Sequence, residues 1–162
     1  MIKVENNGFE GIAGKRTNQS GNSNLPAVRQ GKVTYEPLAK PDANELRAGQ
    51  KFAEQGYDVT YRATASDRGV PNLRTSDLYV NGIGRVDVYT PRTTNMKNII
   101  SSIEKKDSQA SSVLLQINLV GKNINTIASR VWGKPNVKNI NTIFFQDSKG
   151  QIHRFDRPIN GE

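Results

Sequence analysis

The strongest constraint on the fold of this chain is a hairpin centred on the Asn-Gly pair at residues 81–82. Two segments in which polar and apolar residues alternate, 77–80 and 85–89, flank this pair. Asn-Gly favours a tight turn between antiparallel strands, because both residues tolerate a left-handed backbone. A three-residue connection then pairs Val80 with Gly84, and the glycine can form a bulge.

This register places two carboxylates side by side. Asp77 stands directly opposite Asp87 on one face of the sheet, whereas a two-residue turn would put them on opposite faces. Directly paired side chains lie about 5 Å apart at Cβ, so like charges there destabilise the strands unless a cation lies between them. The pair therefore indicates a metal site, with two solvent-facing aspartates at strand ends as the alternative.

Around the hairpin the chain alternates between helix and strand patterns. Asp42 and Glu45 have the spacing of a capping box, which predicts a helix that ends at Gly56. Hydrophobic periodicity predicts the other elements: a strand over 57–63, a helix over 96–107, a strand over 113–117, a helix over 124–131, and a hairpin of 140–145 with 151–155. The order αβββαβαββ predicts one α/β domain.

Residues 1–41 show neither strand nor helix periodicity and are rich in Asn, Ser and Gly. We therefore expect a flexible arm over 1–41 and a folded domain over 42–158. No apolar segment approaches the roughly 18 residues of a membrane span, and the N-terminus lacks the apolar region of a signal peptide. If the chain is exported, another segment carries it.

The composition limits which side chains can serve in catalysis or metal binding. The chain of 162 residues has no Cys, one His and a formal charge of +8. Disulfides, thiolate zinc sites, thiol nucleophiles and histidine clusters are therefore excluded. Carboxylates, Lys, Arg and hydroxyls are left, and the positive charge makes a polyanion such as nucleic acid the expected partner.

Helix phase separates two neighbouring lysines. Relative to the apolar stripe that contains Ile99 and Ile103, Lys106 flanks the sheet side and Lys105 points to solvent. An ammonium beside the two aspartates can orient water and stabilise charge on a phosphate. Alternatively, both lysines complement the dipole at a helix C-terminus.

Other polar residues are weaker candidates. Gln109 can hydrogen-bond a phosphate or a base, Glu45 is already accounted for as a capping residue, and His153 lies on the polar side of the last strand. Arginines interleaved with tyrosines suit a nucleic-acid cleft, although strand tyrosines often serve only the core; these arginines are Arg62, Arg68, Arg74, Arg85 and Arg92.

Two motifs carry a resemblance to a known family. Residues 4–7 read Val-Glu-Asn-Asn, the VENN motif that marks the start of the variable toxin region in CdiA proteins of contact-dependent growth inhibition systems. The region 44–157 resembles the tRNA nuclease family of CdiA C-terminal toxins, and also the WapA C-terminal toxin. The matching residues are Asn44-Glu45, Phe52-Ala53, Gly56-Tyr57, Ser76-Asp77-Leu78-Tyr79-Val80, Val86-Asp87-Val88-Tyr89-Thr90-Pro91, Ile99, Ile103-Glu104-Lys105-Lys106 and Gln109.

The resemblance implies a PD-(D/E)XK-type nuclease core, αβββαβ, whose lysine has moved from the strand to the following helix. By position, Glu45, Asp77 and Asp87 match the metal-binding carboxylates and Lys106 the lysine, although the motif alone does not separate Lys106 from Lys105. Hard carboxylate ligands favour Mg²⁺ or Mn²⁺, with Zn²⁺ as a further option.

The resemblance further implies an antibacterial toxin, the C-terminus of a large secreted or cell-surface protein, that cleaves tRNA in the cytoplasm of a neighbouring cell. Its implied partners are tRNA, an acidic immunity protein and, as an open question, a host translation factor. Gln109, Arg74, Arg85 and Arg92 are the candidate nucleic-acid contacts. Three alternatives remain: a metal-independent barnase/colicin D-like α+β tRNase that uses His153, a DNase on the same scaffold, and a binding module without catalysis.

Overall fold

A computed structural model of the chain describes residues 29–64, 67, 69, 76–119 and 121–159. Its elements follow one another as β1 (Val33–Tyr35), α1 (Ala43–Glu54), β2 (Val59–Tyr61), β3 (Leu78–Val80), β4 (Gly84–Tyr89), α2 (Met96–Glu104), β5 (Ser112–Gln116), α3 (Gly121–Trp132), β6 (Thr142–Gln146) and β7 (Ile152–Asp156). The expected mixed α/β fold is confirmed. None of the helices in these ranges is long and apolar enough to cross a membrane.

The strands form a seven-stranded mixed sheet in the order β1-β2-β3-β4-β5-β6-β7. β2, β3 and β4 are antiparallel neighbours, and β6 and β7 form the last antiparallel pair. The parallel pairs are β1 with β2, β4 with β5, and β5 with β6. Each parallel pair is joined through a helix, as the geometry of a parallel crossover requires.

The central hairpin has the register predicted from its turn. Val80 pairs with Gly84 and Leu78 with Val86. Gly82 adopts φ 89°, and Ile83 N–H donates to Val80 O at 2.9 Å, which closes the three-residue connection. The positive φ explains why glycine follows Asn81, since a side chain at this position would be strained.

The sheet carries a hydrophobic core on each face. α1 packs on one face, where Phe52 is buried against Phe144 with their rings edge to face. α2 and α3 cover the other face, where Ile99, Ile103 and Ile127 are buried against β5 and β6. Alternate residues of β5 and β6 serve opposite cores, as the two-residue period of a strand demands.

α1 and α2 begin where local signals predict, whereas α2 ends earlier and α3 begins earlier than predicted. The predicted capping box is present: Asp42 Oδ1 accepts Glu45 N–H at 2.8 Å, and Glu45 Oε1 accepts Asp42 N–H at 3.1 Å. α2 ends at Glu104 rather than at residue 107, and the chain continues in turns with Lys106 N–H donating to Ile103 O at 2.9 Å. These tighter i→i+3 bonds keep the direction of the helix for a further turn.

The segment 33–35 corrects the predicted arm. Composition predicts an arm over 1–41, but the structure pairs β1 with β2, and Lys32 N–H donates to Asp58 Oδ1 at 2.8 Å. A three-residue edge strand with exposed side chains shows no hydrophobic periodicity in the sequence. Backbone pairing with the neighbouring strand, rather than burial of its side chains, holds it in place. Residues 1–28, including the VENN motif, lie outside the described residues.

Candidate active site

Asp87 lies at the centre of the candidate site. It sits on β4 on the face that α2 covers, and only 3% of the residue is exposed. Its Oδ1 accepts Gln109 Nε2 at 2.9 Å, and its Oδ2 lies 2.5 Å from Lys106 Nζ. Apart from this ion pair, Oδ2 is buried without a hydrogen-bond partner among the described residues. Its charge therefore depends on the ammonium and on any other cation that the site takes up.

The turns after α2 supply two of the groups that contact Asp87, Lys106 and Gln109. Lys106 follows the last helical turn and keeps its phase, so its side chain runs back over the sheet, with Nζ 5.3 Å from the centre of the Tyr89 ring. Lys105, one position earlier, is exposed. The prediction that Lys106 faces the sheet and Lys105 the solvent is confirmed in geometry.

Asp77 precedes β3 and extends the hairpin register to the position opposite Asp87. One of its oxygens, Oδ2, accepts Val88 N–H at 2.8 Å. Burial raises the pKa of Asp77 to about 8, and the negative charges of Asp87 and then Glu45 contribute to the increase. A carboxyl group with this pKa holds a proton at neutral pH unless a cation replaces it.

Glu45 approaches the site from α1, which packs on the opposite face of the sheet. Burial raises the pKa of Glu45, against the lowering effect of the Asp42 N–H and of a hydrogen bond with Asp77. Asp77 therefore interacts with both Glu45 and Asp87. Sequence spacing gives no reason for this contact, since helix and hairpin come together only in the folded chain.

Buried amides that the sequence analysis missed fix the first turns of α1. Gln116 Nε2 donates to Asn44 O at 2.9 Å and to Gln146 Oε1 at 2.8 Å. Gln146 Nε2 in turn donates to Arg47 O at 3.3 Å. Both glutamines are almost fully buried. The signal in the sequence is a glutamine at the end of each of two apolar strands, at residues 116 and 146. A glutamine is usually exposed, and a buried one needs hydrogen-bond partners for its amide.

The carboxyl groups fit a divalent cation as a pair. No three His, Cys, Asp or Glu side chains form a metal-holding group in the described parts of the chain. Mg²⁺, however, usually binds through one or two carboxylates and completes its shell with water and substrate phosphate. Asp77 and Asp87 supply hard oxygen donors of this kind, and Asp87 Oδ2, which lies against the Lys106 ammonium, has no hydrogen-bond partner among the described residues. The set of donors therefore suits Mg²⁺ or Mn²⁺ better than a softer metal.

The remaining candidates are dispersed. Arg85 is exposed on β4, the strand of Asp87, Arg92 lies just after that strand, and Arg74 lies outside the described residues. His153 lies on β7, which β5 and β6 separate from β4, so about 14 Å of sheet separates it from Asp87. Its ring instead contacts Asp147, with Nε2 2.9 Å from Oδ2. The structure therefore does not bring His153 into the carboxylate site.

The fold and this site define a class: an α/β domain with paired carboxylates on a central hairpin and a lysine from the following helix. Residues 74–152 match the family model described as the contact-dependent growth inhibition CdiA C-terminal domain. This range contains Asp77, Asp87 and Lys106, but not Glu45. The resemblance to CdiA C-terminal toxins predicted from the sequence is therefore confirmed.

A solved structure supports the same relationship at the level of the fold. The chain resembles one from the CdiA-CT/CdiI toxin and immunity complex of Burkholderia pseudomallei, with 23% identity and a TM-score of 0.52. The similarity covers 78% of this chain and 99% of that chain. A search of curated protein sequences finds no significant match.

Proposed function

We propose that this chain is an antibacterial toxin that cleaves tRNA as a metal-dependent endoribonuclease. One observation carries the enzymatic part: buried Asp87 is held between Lys106, Gln109 and Asp77 on one face of the central hairpin. Burial of the Asp87 carboxylate beside a second carboxyl group and an ammonium is costly, and such clusters concentrate at functional sites. The family match over residues 74–152 supports the toxin part.

The chain's residues divide the work of phosphodiester hydrolysis. Asp77 and Asp87 would hold the metal, and Glu45 would orient Asp77 from α1. A divalent ion at this position supplies Lewis-acid activation of water and phosphate. Lys106 places a positive charge beside the carboxylates, where charge develops on the phosphate. Gln109 fixes the orientation of Asp87 through its amide N–H.

The substrate class follows from charge and family. A formal charge of +8 favours binding to a polyanion, and Arg85 and Arg92 extend the basic surface on and beside the strand of Asp87. The resemblance to tRNA nuclease toxins makes tRNA the proposed substrate. DNA is the competing substrate on the same scaffold, because a phosphate and two carboxylates do not distinguish the two polymers.

The proposed biological setting has two further parts. The chain would act in the cytoplasm of a neighbouring cell after delivery as the C-terminus of a larger secreted protein. A cognate immunity protein would neutralise it in the producer, a proposal supported by the similarity to a chain of a toxin and immunity complex.

The test is cleavage by the purified chain of total tRNA and of plasmid DNA, each with Mg²⁺ present. We expect cut tRNA, intact plasmid, and no cleavage by Asp87→Asn. Cleavage of plasmid alone would establish the DNase alternative, and cleavage of neither, with no growth inhibition on expression inside cells, would favour the binding module. Loss of activity in His153→Ala with retention in Asp87→Asn would transfer the chemistry to the colicin D-like mechanism.

A further inference from the structure

A depression of about 400 Å³ lies beside the carboxylate site, on the face of the sheet that α1 does not cover. Its described lining residues come from β2, β3 and β4 and from the segments that follow β1 and β2: Glu36, Thr60, Arg62, Tyr79 and Arg85. Two guanidinium groups, one carboxylate and one aromatic ring form an amphipathic surface with a net positive charge. The proposed catalytic residues do not include any of this group.

Strand register ties the depression to the site. Thr60 pairs with Tyr79, and Tyr79 pairs with Arg85, so the three form one row across the sheet. Asp77 and Asp87 form the next row on the same face, two residues further along each strand. Two residues of strand span roughly 6.6 Å. A polynucleotide whose phosphate lies at the aspartates therefore places its next nucleotide over Tyr79 and Arg85.

Two side chains of the depression are exposed to solvent, and two others are held by hydrogen bonds. Tyr79 is 45% exposed, which is unusual for a ring in the middle of a sheet, and Arg85 is exposed beside it. Arg62 Nη1 donates to the buried Ser76 Oγ at 2.9 Å, and its Nε lies 3.8 Å from Glu36 Oε2. Glu36 Oε1 accepts Ala63 N–H at 2.9 Å. One end of the depression therefore carries polar groups held by hydrogen bonds, and the other offers an exposed ring and an exposed cation.

We infer that this depression is a subsite for one unpaired nucleotide next to the scissile phosphate. The Tyr79 ring stacks on its base, and Arg85 binds its phosphate. The fixed Glu36–Arg62 pair presents an acceptor and donors to the polar edge of the base. The inference deepens the proposed nuclease function, on which it rests: a base stacked on Tyr79 has left its own helix, so the preferred cleavage position is single-stranded.

The test measures binding without cleavage. Asp87→Asn serves as the background, and the probe is a short single-stranded RNA that carries 2-aminopurine, whose fluorescence falls when the base stacks on a ring. Adding Tyr79→Leu should weaken binding roughly 5- to 100-fold and remove the quenching, whereas Tyr79→Phe should keep both. Tyr35→Leu is the matched control, an exposed strand tyrosine on the opposite face, stacked near Tyr61. It should leave binding unchanged.

A second variant keeps the inference testable if Tyr79→Leu does not fold. Arg85→Ala in the same background should lower the slope of log Kd against log salt by about 1, and Arg130→Ala on α3 should not. Unchanged affinity and quenching in folded Tyr79→Leu, or equal binding of duplex and single-stranded RNA, would overturn the subsite while leaving the nuclease proposal in place. Failure of the wild-type chain to cut or bind RNA would overturn both.

Discussion

Lys106 Nζ lies 2.5 Å from Asp87 Oδ2, so the turn after α2 is joined by an ion pair to the middle of β4. The two residues are unequal in exposure: the Asp87 side chain is 4% accessible and that of Lys106 22%. The ion pair matters more to the stability of the buried Asp87, since a carboxylate removed from water is unstable without a cation. Lys106 therefore has a structural role as well as the proposed catalytic one.

The first prediction separates the two neighbouring lysines. Lys106→Ala should reduce tRNA cleavage by at least about 100-fold, the size of effect seen when one stabilising charge is removed from a transition state. Lys105→Ala, the matched control one residue away, should keep most of the activity. The measurement is single-turnover cleavage by variants whose circular dichroism matches wild type, and essential Lys105 with dispensable Lys106 would contradict the proposed role of Lys106.

The second prediction concerns the metal. Treatment with EDTA should abolish cleavage, and excess Mg²⁺ should restore it, because Asp77 and Asp87 offer hard oxygen ligands. Binding of Mn²⁺ measured by calorimetry should be lost in Asp77→Asn/Asp87→Asn. Full activity in EDTA, with no binding of Mn²⁺ to the wild-type chain, would refute the metal mechanism.

The third prediction is a pH dependence of stability in metal-free protein. Asp77 has a pKa near 8 when folded, against an ordinary value of about 4 when unfolded. Between these values the folded state binds the extra proton, so the free energy of unfolding should fall as pH rises from about 4 to about 8. Urea denaturation in EDTA at several pH values measures this slope. The slope should be smaller in Asp77→Asn, and an equal slope in the variant would assign it to other groups.

The fourth prediction concerns Asp107, which joins the turn after α2 to the segment before β6. Burial alone would raise its pKa, but the N–H donors of Ile140, Asn139 and Lys138 outweigh burial and lower it. Its contribution is therefore present above the unfolded pKa and is lost as pH falls through the lower folded pKa. Asp107→Asn should cost on the order of 1–3 kcal/mol at pH 7 by chemical denaturation, and less at pH 3. Equal loss at both pH values would show that the carboxylate charge is not involved.

The fifth prediction concerns the proposed immunity protein. A neutralising partner for a chain with charge +8 should be acidic, because opposite charge steers association. Its association rate with the chain should fall as ionic strength rises, measured by stopped-flow fluorescence between low and high salt. A neutral or basic partner, or a rate indifferent to salt, would indicate inhibition by surface packing instead.

Features that depend only on a few neighbouring residues can be predicted from the amino-acid sequence. The Asn-Gly turn set the hairpin register, because turn geometry fixes which residues face each other within a few positions of chain. Helix phase separated Lys106 from Lys105 for the same reason, since the angle between neighbours on a helix is constant. The capping box at Asp42 and Glu45 needed only three residues of separation.

Contacts between segments that are distant in the sequence depend on how the whole sheet folds. β1 is a strand because β2 lies beside it, and Glu45 meets Asp77 because Gln116 and Gln146 hold α1 against the far ends of β5 and β6. His153 has suitable chemistry for catalysis, but its place on β7 puts it beyond reach of Asp87. Periodicity and spacing report on a few neighbouring residues, whereas these contacts join positions that become neighbours only when the sheet assembles.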